Sequence, residues 1–245
     1  MMRAPARIGW CGWWRRTSAD GRCCRLARTA SGEHLIFYKF KPVEQLAHLL
    51  DIVVNERLYC EHYEALNDPF EGQFARMVGQ GAARPQFGTA RELDRNLPTR
   101  ICSLTDRFDD VRMWSLYAGR FAGVAIALEL DPQRLPLYPV RYTRRLPAID
   151  VAAGGGAALR ALTTKTSHWA YENEWRLLSQ ERHIPVPGAV LQVILGMRMP
   201  TEIMQIIARV ARPHTRVHMA RLDPAGTCIV RGQALEAGLV ERIVT

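Results

Sequence analysis

The stretch WAYENEWRLLS, Trp169 to Ser179, sets the carboxylates Glu172 and Glu174 beside two tryptophans, a tyrosine and an arginine, directly ahead of an apolar run. On a strand, side chains two residues apart project from the same face, which would bring Glu172 and Glu174 close together and leave Tyr171, Asn173 and Trp175 on the other side. Two carboxylates at close range either raise the pKa of one of them or hold a cation between them. That is the chemistry of a polar cleft. The competing reading is structural: Glu174 pairs with Arg176, or with an arginine on a neighbouring strand, as a buried ion pair. We expect sheet hydrogen bonds to fix the Glu174 backbone while its carboxylate faces the rim of a cleft. On that expectation Glu174→Gln leaves the melting temperature unchanged or raised.

A second polar string, LNDPFEG, runs from Leu66 to Gly72. Asn67 and Asp68 can bond nearby backbone amides and Pro69 fixes its own dihedral, so Glu71 is held close to a tight turn. The tip of such a turn either serves the turn alone or grips a substrate. Trp114 and Tyr117, three apart on an expected helix, form either a core stripe or a platform on which a ring can stack. Ser115 has no Gly-x-Ser-x-Gly elbow and is not read as a nucleophile. His168 reads as a helix-terminus contact ahead of a catalyst. His214 and His218 lie four apart but on an expected strand, which is poor zinc geometry.

The elements that must position these groups begin at HLIFYKF, a strand, followed by a helix whose Val43, Leu46, Ala47, Leu50, Val53 and Val54 share one face and which stops at Asn55. RLYC reads as a short strand, residues 76 to 98 as a loop with one helical turn, and RICSLT as a strand. Asp109 or Asp110 caps a helix containing Trp114 and closed by Gly119. GVAIALEL is a buried strand. After LYPVRY, the glycines Gly154 to Gly156 mark a joint, and a helix is expected from about Ala157 to Ser167. AVLQVILG, a helix capped by Thr201 with Ile203, Ile206, Ile207 and Val210 on one face, RVHMARL and CIVRG complete the chain. Interspersed strands and helices with strands in the majority predict one α+β domain over residues 34–245, with a mixed or antiparallel sheet, whole or split into two small ones, flanked by helices.

The chain of 245 residues has a formal net charge of +9, to which residues 1–34 contribute seven arginines against Asp20 and Glu33. The excess is therefore weak support for a nucleic-acid partner. Residues 1–33 read as a basic Trp/Arg-rich extension, disordered on composition. The basic residues are thirty arginines and three lysines, a bias we attribute to genome composition. The six cysteines show no metal-finger spacing and read as reduced thiols of a cytoplasmic protein. No apolar run reaches the roughly 18 residues that span a bilayer, so no membrane partner is expected.

The blocks FYKF, LNDPFEG, ICSLTDRFDDVRMWSLYAGRFAGVAIAL, WAYENEWRLL and VILGMRM, in that order between Leu35 and Arg231, resemble the signature blocks of a bacterial family catalogued as a domain of unknown function. The resemblance implies a soluble bacterial protein with polar motifs around a sheet and supplies no activity. The order of elements is also similar, at the level of fold, to that of the ADP-ribosyltransferases, which hold NAD between two small sheets and use a late-strand glutamate at the ribose. The likeness implies Glu174 for that glutamate, and Tyr38 or Lys39 where many members have His or Arg. The resulting expectation is one polar-aromatic cleft formed by Tyr38, Lys39, Asn67, Asp68, Trp114, Tyr117, Glu174 and Arg176, with Glu71 near it, acting on a nucleotide or nucleic acid, with NAD as the candidate substrate. Two alternatives stand beside it. Asp68, Glu71, Glu172 and Glu174 could ligate Mg²⁺ in a nuclease or phosphoesterase, a reading weakened by the lack of a lysine near the glutamate pair. The same cleft could bind a ligand or partner without chemistry.

Overall fold

The computed structural model describes residues 35–77, 86–94, 98–151 and 156–235. The expected extension at residues 1–33 and most of the Gly154 to Gly156 joint lie outside the described residues. In chain order the elements are β1 (Leu35–Lys41), α1 (Leu46–Asn55), β2 (Arg57–Tyr59), β3 (Glu61–His62), β4 (Gln73–Arg76), β5 (Phe87–Thr89), α2 (Ala90–Leu93), β6 (Arg100–Thr105), α3 (Val111–Tyr117) and β7 (Val124–Leu130). There follow β8 (Leu137–Pro139), β9 (Arg141–Thr143), β10 (Ala148–Ile149), α4 (Ala157–Leu162), β11 (Thr164–Thr166), β12 (Glu174–Ser179), β13 (His183–Pro185), β14 (Val190–Leu195), α5 (Thr201–Val210), β15 (Arg216–Leu222) and β16 (Ile229–Ala234).

The architecture is α+β. A nine-stranded mixed sheet runs in the order β16-β15-β14-β7-β1-β6-β12-β8, with β3 also paired to β6. β14 and β15 are parallel; the other pairs in this sheet are antiparallel. Three small sheets, β10-β4-β5, β11-β9 and β13-β2, stand beside it, so the alternative of two small sheets gives way to one large one. Alternation along β1 and β7 feeds two cores. Phe37, Val124, Ile126 and Leu128 pack with Leu49 and Ile52 of α1 and Ile207 of α5 on one face. Tyr38, Phe40, Ala125 and Ala127 pack with Met113 and Trp114 of α3 on the other. A third cluster seats α4 against Ile101 and Leu178.

Several elements differ locally from expectation. The segment expected as a loop with one helical turn has that turn as α2, started by a capping box between Thr89 and Glu92, but also contains the strand β5. The helix expected to reach Ser167 ends at Leu162, where β-branched Thr163, Thr164 and Thr166 take over. The Thr163 hydroxyl bonds the Leu159 carbonyl, and β11 and a 3-10 helix over Ser167–Glu172 follow. α5 has Pro200 at its cap position and Thr201 as its first residue. Its Ile206 and Val210 are exposed, leaving Met204 and Ile207 buried. No helix among the described residues is long and apolar enough to cross a membrane.

Candidate functional site

The site forms where the large sheet opens. β1 pairs with β7 along its whole length, from Leu35↔Leu130 to Lys41↔Val124, but with β6 only at Tyr38↔Thr105. Beyond that point the two strands diverge, and β3 rejoins β6 at Glu61↔Ile101. Between these pairings Cys102, Ser103 and Leu104 have no strand partner on the β1 side among the described residues, although β12 pairs with them on the other. Lys39 Nζ donates to the Ser103 carbonyl at 2.7 Å, satisfying part of that exposed strand edge.

A cavity of about 400 Å³ fills the opening, lined by Lys39, Lys41, Ser103, His48 and Glu61 together with Tyr38, Tyr59, Asn67, Tyr117, Lys165, Glu172 and Glu174. Lys39 and Lys41, two apart on β1, share one strand face. Lys41 is 9% exposed and donates to the Gln45 side chain at 3.0 Å. Neither lysine forms an ion pair with a carboxylate among the described residues. Glu61 is near, but one of its oxygens accepts from the Tyr59 hydroxyl and the other from the His62 amide. Burial, and then the charge of Lys39, pushes the Lys41 amine down from 10.5 to about 8, against the opposing pull of Cys102 and Glu61.

The far wall of the cavity is a buried charge cluster. Lys165 Nζ lies 2.7 Å from Glu172 Oε2 and 2.9 Å from Glu174 Oε2. Arg176, fully buried, reaches Glu174 through Nε at 3.1 Å and clasps Glu71 with both terminal nitrogens, the Nη2 contact being 2.8 Å. Its Nη1 also donates to the Leu162 carbonyl, and Tyr117 Oη donates to Glu172. Burial alone would raise the Glu174 carboxyl, but Arg176 and Lys165 overcome it and hold the group at about 2. Lys165 and Arg176 remain firmly protonated, because the glutamates outweigh the burial that would lower them.

The expected site residues divide accordingly. Tyr38, Lys39, Asn67, Tyr117 and Glu174 meet at the cavity. Four others do not line it. Trp114 is fully buried between Phe40 and Phe121, with its indole N–H donating to the Phe108 carbonyl at 2.6 Å, so it belongs to the core and is no stacking platform. Asp68 accepts from the Phe70 amide at 2.9 Å and serves the turn. Glu71 and Arg176 are consumed in the charge cluster. Glu172 and Glu174 do converge, but not by strand alternation: Glu172 ends the 3-10 helix, and Asn173, at φ 43°, turns the chain before β12 begins.

Glu174 therefore does not project to an open rim; it is the arginine-paired carboxylate of the structural alternative. The lysine near the pair is Lys165, seven residues before Glu172 and nine before Glu174, brought into contact when the chain doubles back from β11 through the 3-10 helix. The proposed Mg²⁺ ligands do not fit a metal, since Glu71, Glu172 and Glu174 already bind cationic side chains and no group of three or more His, Cys, Asp or Glu among the described residues is placed to hold one. His168 is exposed; His214 faces Glu56 at 3.6 Å and His218 the Gly232 carbonyl at 3.3 Å, so the two form no common site. Lys41, Lys165, His48, Tyr59 and Glu61 were not anticipated. The available signal was the lysine count itself, because all three lysines of the chain line this cavity.

The chain matches no protein-family model, no curated protein and no solved structure.

The charge cluster predicts an acid-sensitive component of stability. A carboxyl held at about 2 instead of 4.5 stabilises the fold fully above pH 4.5 and loses that contribution as pH falls toward 2, a change on the order of 3 kcal/mol. At Glu71 burial is the larger influence and shifts the carboxyl upward in spite of Arg176, so its linkage runs the other way and lies above pH 4.5. Melting temperature measured against pH should fall between 4.5 and 2 in the wild type. Glu174→Gln should flatten that segment, and an unchanged acid limb in the variant would contradict the assignment.

Proposed function

We propose that the cavity binds a small phosphate-bearing ligand of the nucleotide class. The observation that carries this is the pair Lys39 and Lys41: cationic side chains set into a partly enclosed cavity with no described carboxylate within ion-pair distance. Desolvated charge without a partner is unfavourable, and a bound anion removes the imbalance. Its volume suits a small ligand. Tyr38, Tyr59, Tyr117 and His48 supply ring surface and hydroxyls for a base and ribose. NAD is the member of the class favoured by the likeness to ADP-ribosyltransferases. For ADP-ribose transfer Glu174 would have to stabilise a developing cation, whereas Arg176 and Lys165 already balance its charge. The geometry thus supports binding better than transfer. The small, partly enclosed cavity favours a nucleotide over a nucleic-acid chain, and the free thiols of Cys60 and Cys102 support a cytoplasmic setting.

Thermal unfolding with pyrophosphate, ADP and NAD tests the reading. A ligand at a hundred times its Kd adds about 2.7 kcal/mol, or roughly 5 to 10 °C for a chain of this size. Lys39→Met should abolish the shift. No shift with any of the three, or an equal shift in Lys39→Met, would overturn the proposal.

A further inference from the structure

All three lysines of the chain line one cavity, and no described arginine does, although the sequence holds thirty. Charge alone does not account for this. Arginine carries a permanent charge and binds phosphate with a two-pronged fork, so a site that needed only a cation would be served at least as well by the residue this chain uses everywhere else. What arginine cannot supply is a primary amine able to lose its proton.

The three lysines are not equivalent. Lys165 is locked between Glu172 and Glu174. Lys39 donates to the main-chain carbonyl of Ser103. Lys41 is buried and its acceptor is the neutral side chain of Gln45. Lys39 lies two residues away on the same strand face, and a neighbouring cation together with desolvation is one of the recognised ways to activate a lysine amine.

We propose that Lys41 is a nucleophilic amine that captures an aldehyde or ketone carbon of a small anionic ligand as an imine. The assignment rests on the anion-binding reading of the same cavity, with Lys39 holding the ligand's negative group. In the step, the lone pair of neutral Nζ forms a bond to the carbonyl carbon and the C=O π pair moves to oxygen. The nitrogen then gives up its two protons, both of which end on the departing oxygen. The C–O bond breaks, and one imine and one water result with no redox change. His48 lines the cavity with its imidazole pushed below its usual value, by burial first and then by Lys41, and its ring nitrogens can relay a proton. The lowered amine pKa, set by burial and Lys39 with Cys102 and Glu61 opposing, supplies a usable fraction of neutral Nζ near neutral pH.

The chain offers few competing amines, so the test is direct: glyoxylate with cyanoborohydride on the full-length protein, followed by peptide mapping by mass spectrometry. At pH 7.5 carboxymethylation is expected at Lys41 about tenfold or more faster than at Lys165, which Glu172 and Glu174 hold protonated, or at Lys39, whose amine is tied to the Ser103 carbonyl. The rate should level off above about pH 8, and Lys41→Arg should remove the label. Equal labelling of the three lysines, labelling of the N-terminal amine alone, or a rate that climbs without inflection through pH 9 would overturn the assignment. The wild-type map decides even if the variant fails to fold. A thermal shift with pyrophosphate but no label at Lys41 refutes the imine alone; a label at Lys41 without any pyrophosphate shift refutes the phosphate reading and leaves the amine assigned.

Discussion

Replacing Arg176 by Met is expected to lower stability by about 3 to 5 kcal/mol, on the order of 10 °C in melting temperature, because it strands buried carboxylates without their cation. Arg176 is fully buried and serves Glu71 through both terminal nitrogens and Glu174 through Nε and Nη2. The two glutamates would not suffer equally. Glu174 keeps Lys165 at 2.9 Å, whereas Glu71 has no second ion pair among the described residues. Adding Glu71→Leu to Arg176→Met should therefore recover a large part of the loss, since removing both members of a buried pair costs far less than removing one. Chemical denaturation of the single and double variants measures this. If the double variant is no more stable than the single, Glu71 is not the group left uncompensated.

Gly123→Ala is expected to have the next largest effect, with both stability and ligand binding as readouts. A Cβ at Gly123 would lie 2.2 Å from the Lys41 carbonyl and 2.8 Å from Pro42 Cα, both backbone atoms that no rotamer change can move aside. The same crossing is tightened by Gly196, whose amide donates to the Gly123 carbonyl at 2.8 Å. Overpacking of this kind costs about 1 to 3 kcal/mol or more. The nearer of the displaced atoms belongs to Lys41 and the other to the next residue, so the variant should lose its pyrophosphate shift even at temperatures where it remains folded. A folded Gly123→Ala protein with unaltered binding would show that the Lys41 backbone tolerates movement.

Local pattern was enough to read the strands nearest the site. RICSLT is β6 to the residue, and the apolar run GVAIALEL contains β7, because unbroken β-branched and apolar residues leave little alternative once both faces are buried. LNDPFEG and YENEWRLL, the most distinctive strings in the chain, were legible as polar chemistry but not as partners of each other. Arg176 and Glu71 are 105 positions apart, and only the fold brings them together as a structural cluster. Tyr38, Lys39, Asn67, Tyr117 and Glu174 reach the expected cavity for the same tertiary reason. Trp114 misled because spacing reveals that two rings share a helix face, not whether the indole N–H already has a carbonyl to bond. TKT escaped notice as a strand because three polar residues carry no apolar alternation, and with it went Lys165. Lys41 was hidden in an aromatic strand whose next strand fails to pair, a gap that no local pattern encodes.

The two ends of the large sheet, as the described residues form it, bear on edge-to-edge pairing between copies. A sheet of nine strands ends in rows of backbone donors and acceptors that can template pairing with a neighbour. Here one end is β8, three residues long and finished by Pro139, which has no amide hydrogen to offer. The other is β16, which exposes Arg231 and Gln233 and meets β15 through a register shift between His218 and Ala220. A short strand, a proline, a charge and a bulge are each obstacles to edge-to-edge growth. A further interruption in hydrogen bonding lies inside the sheet, between β1 and β6, and there it borders a cavity and not an open edge.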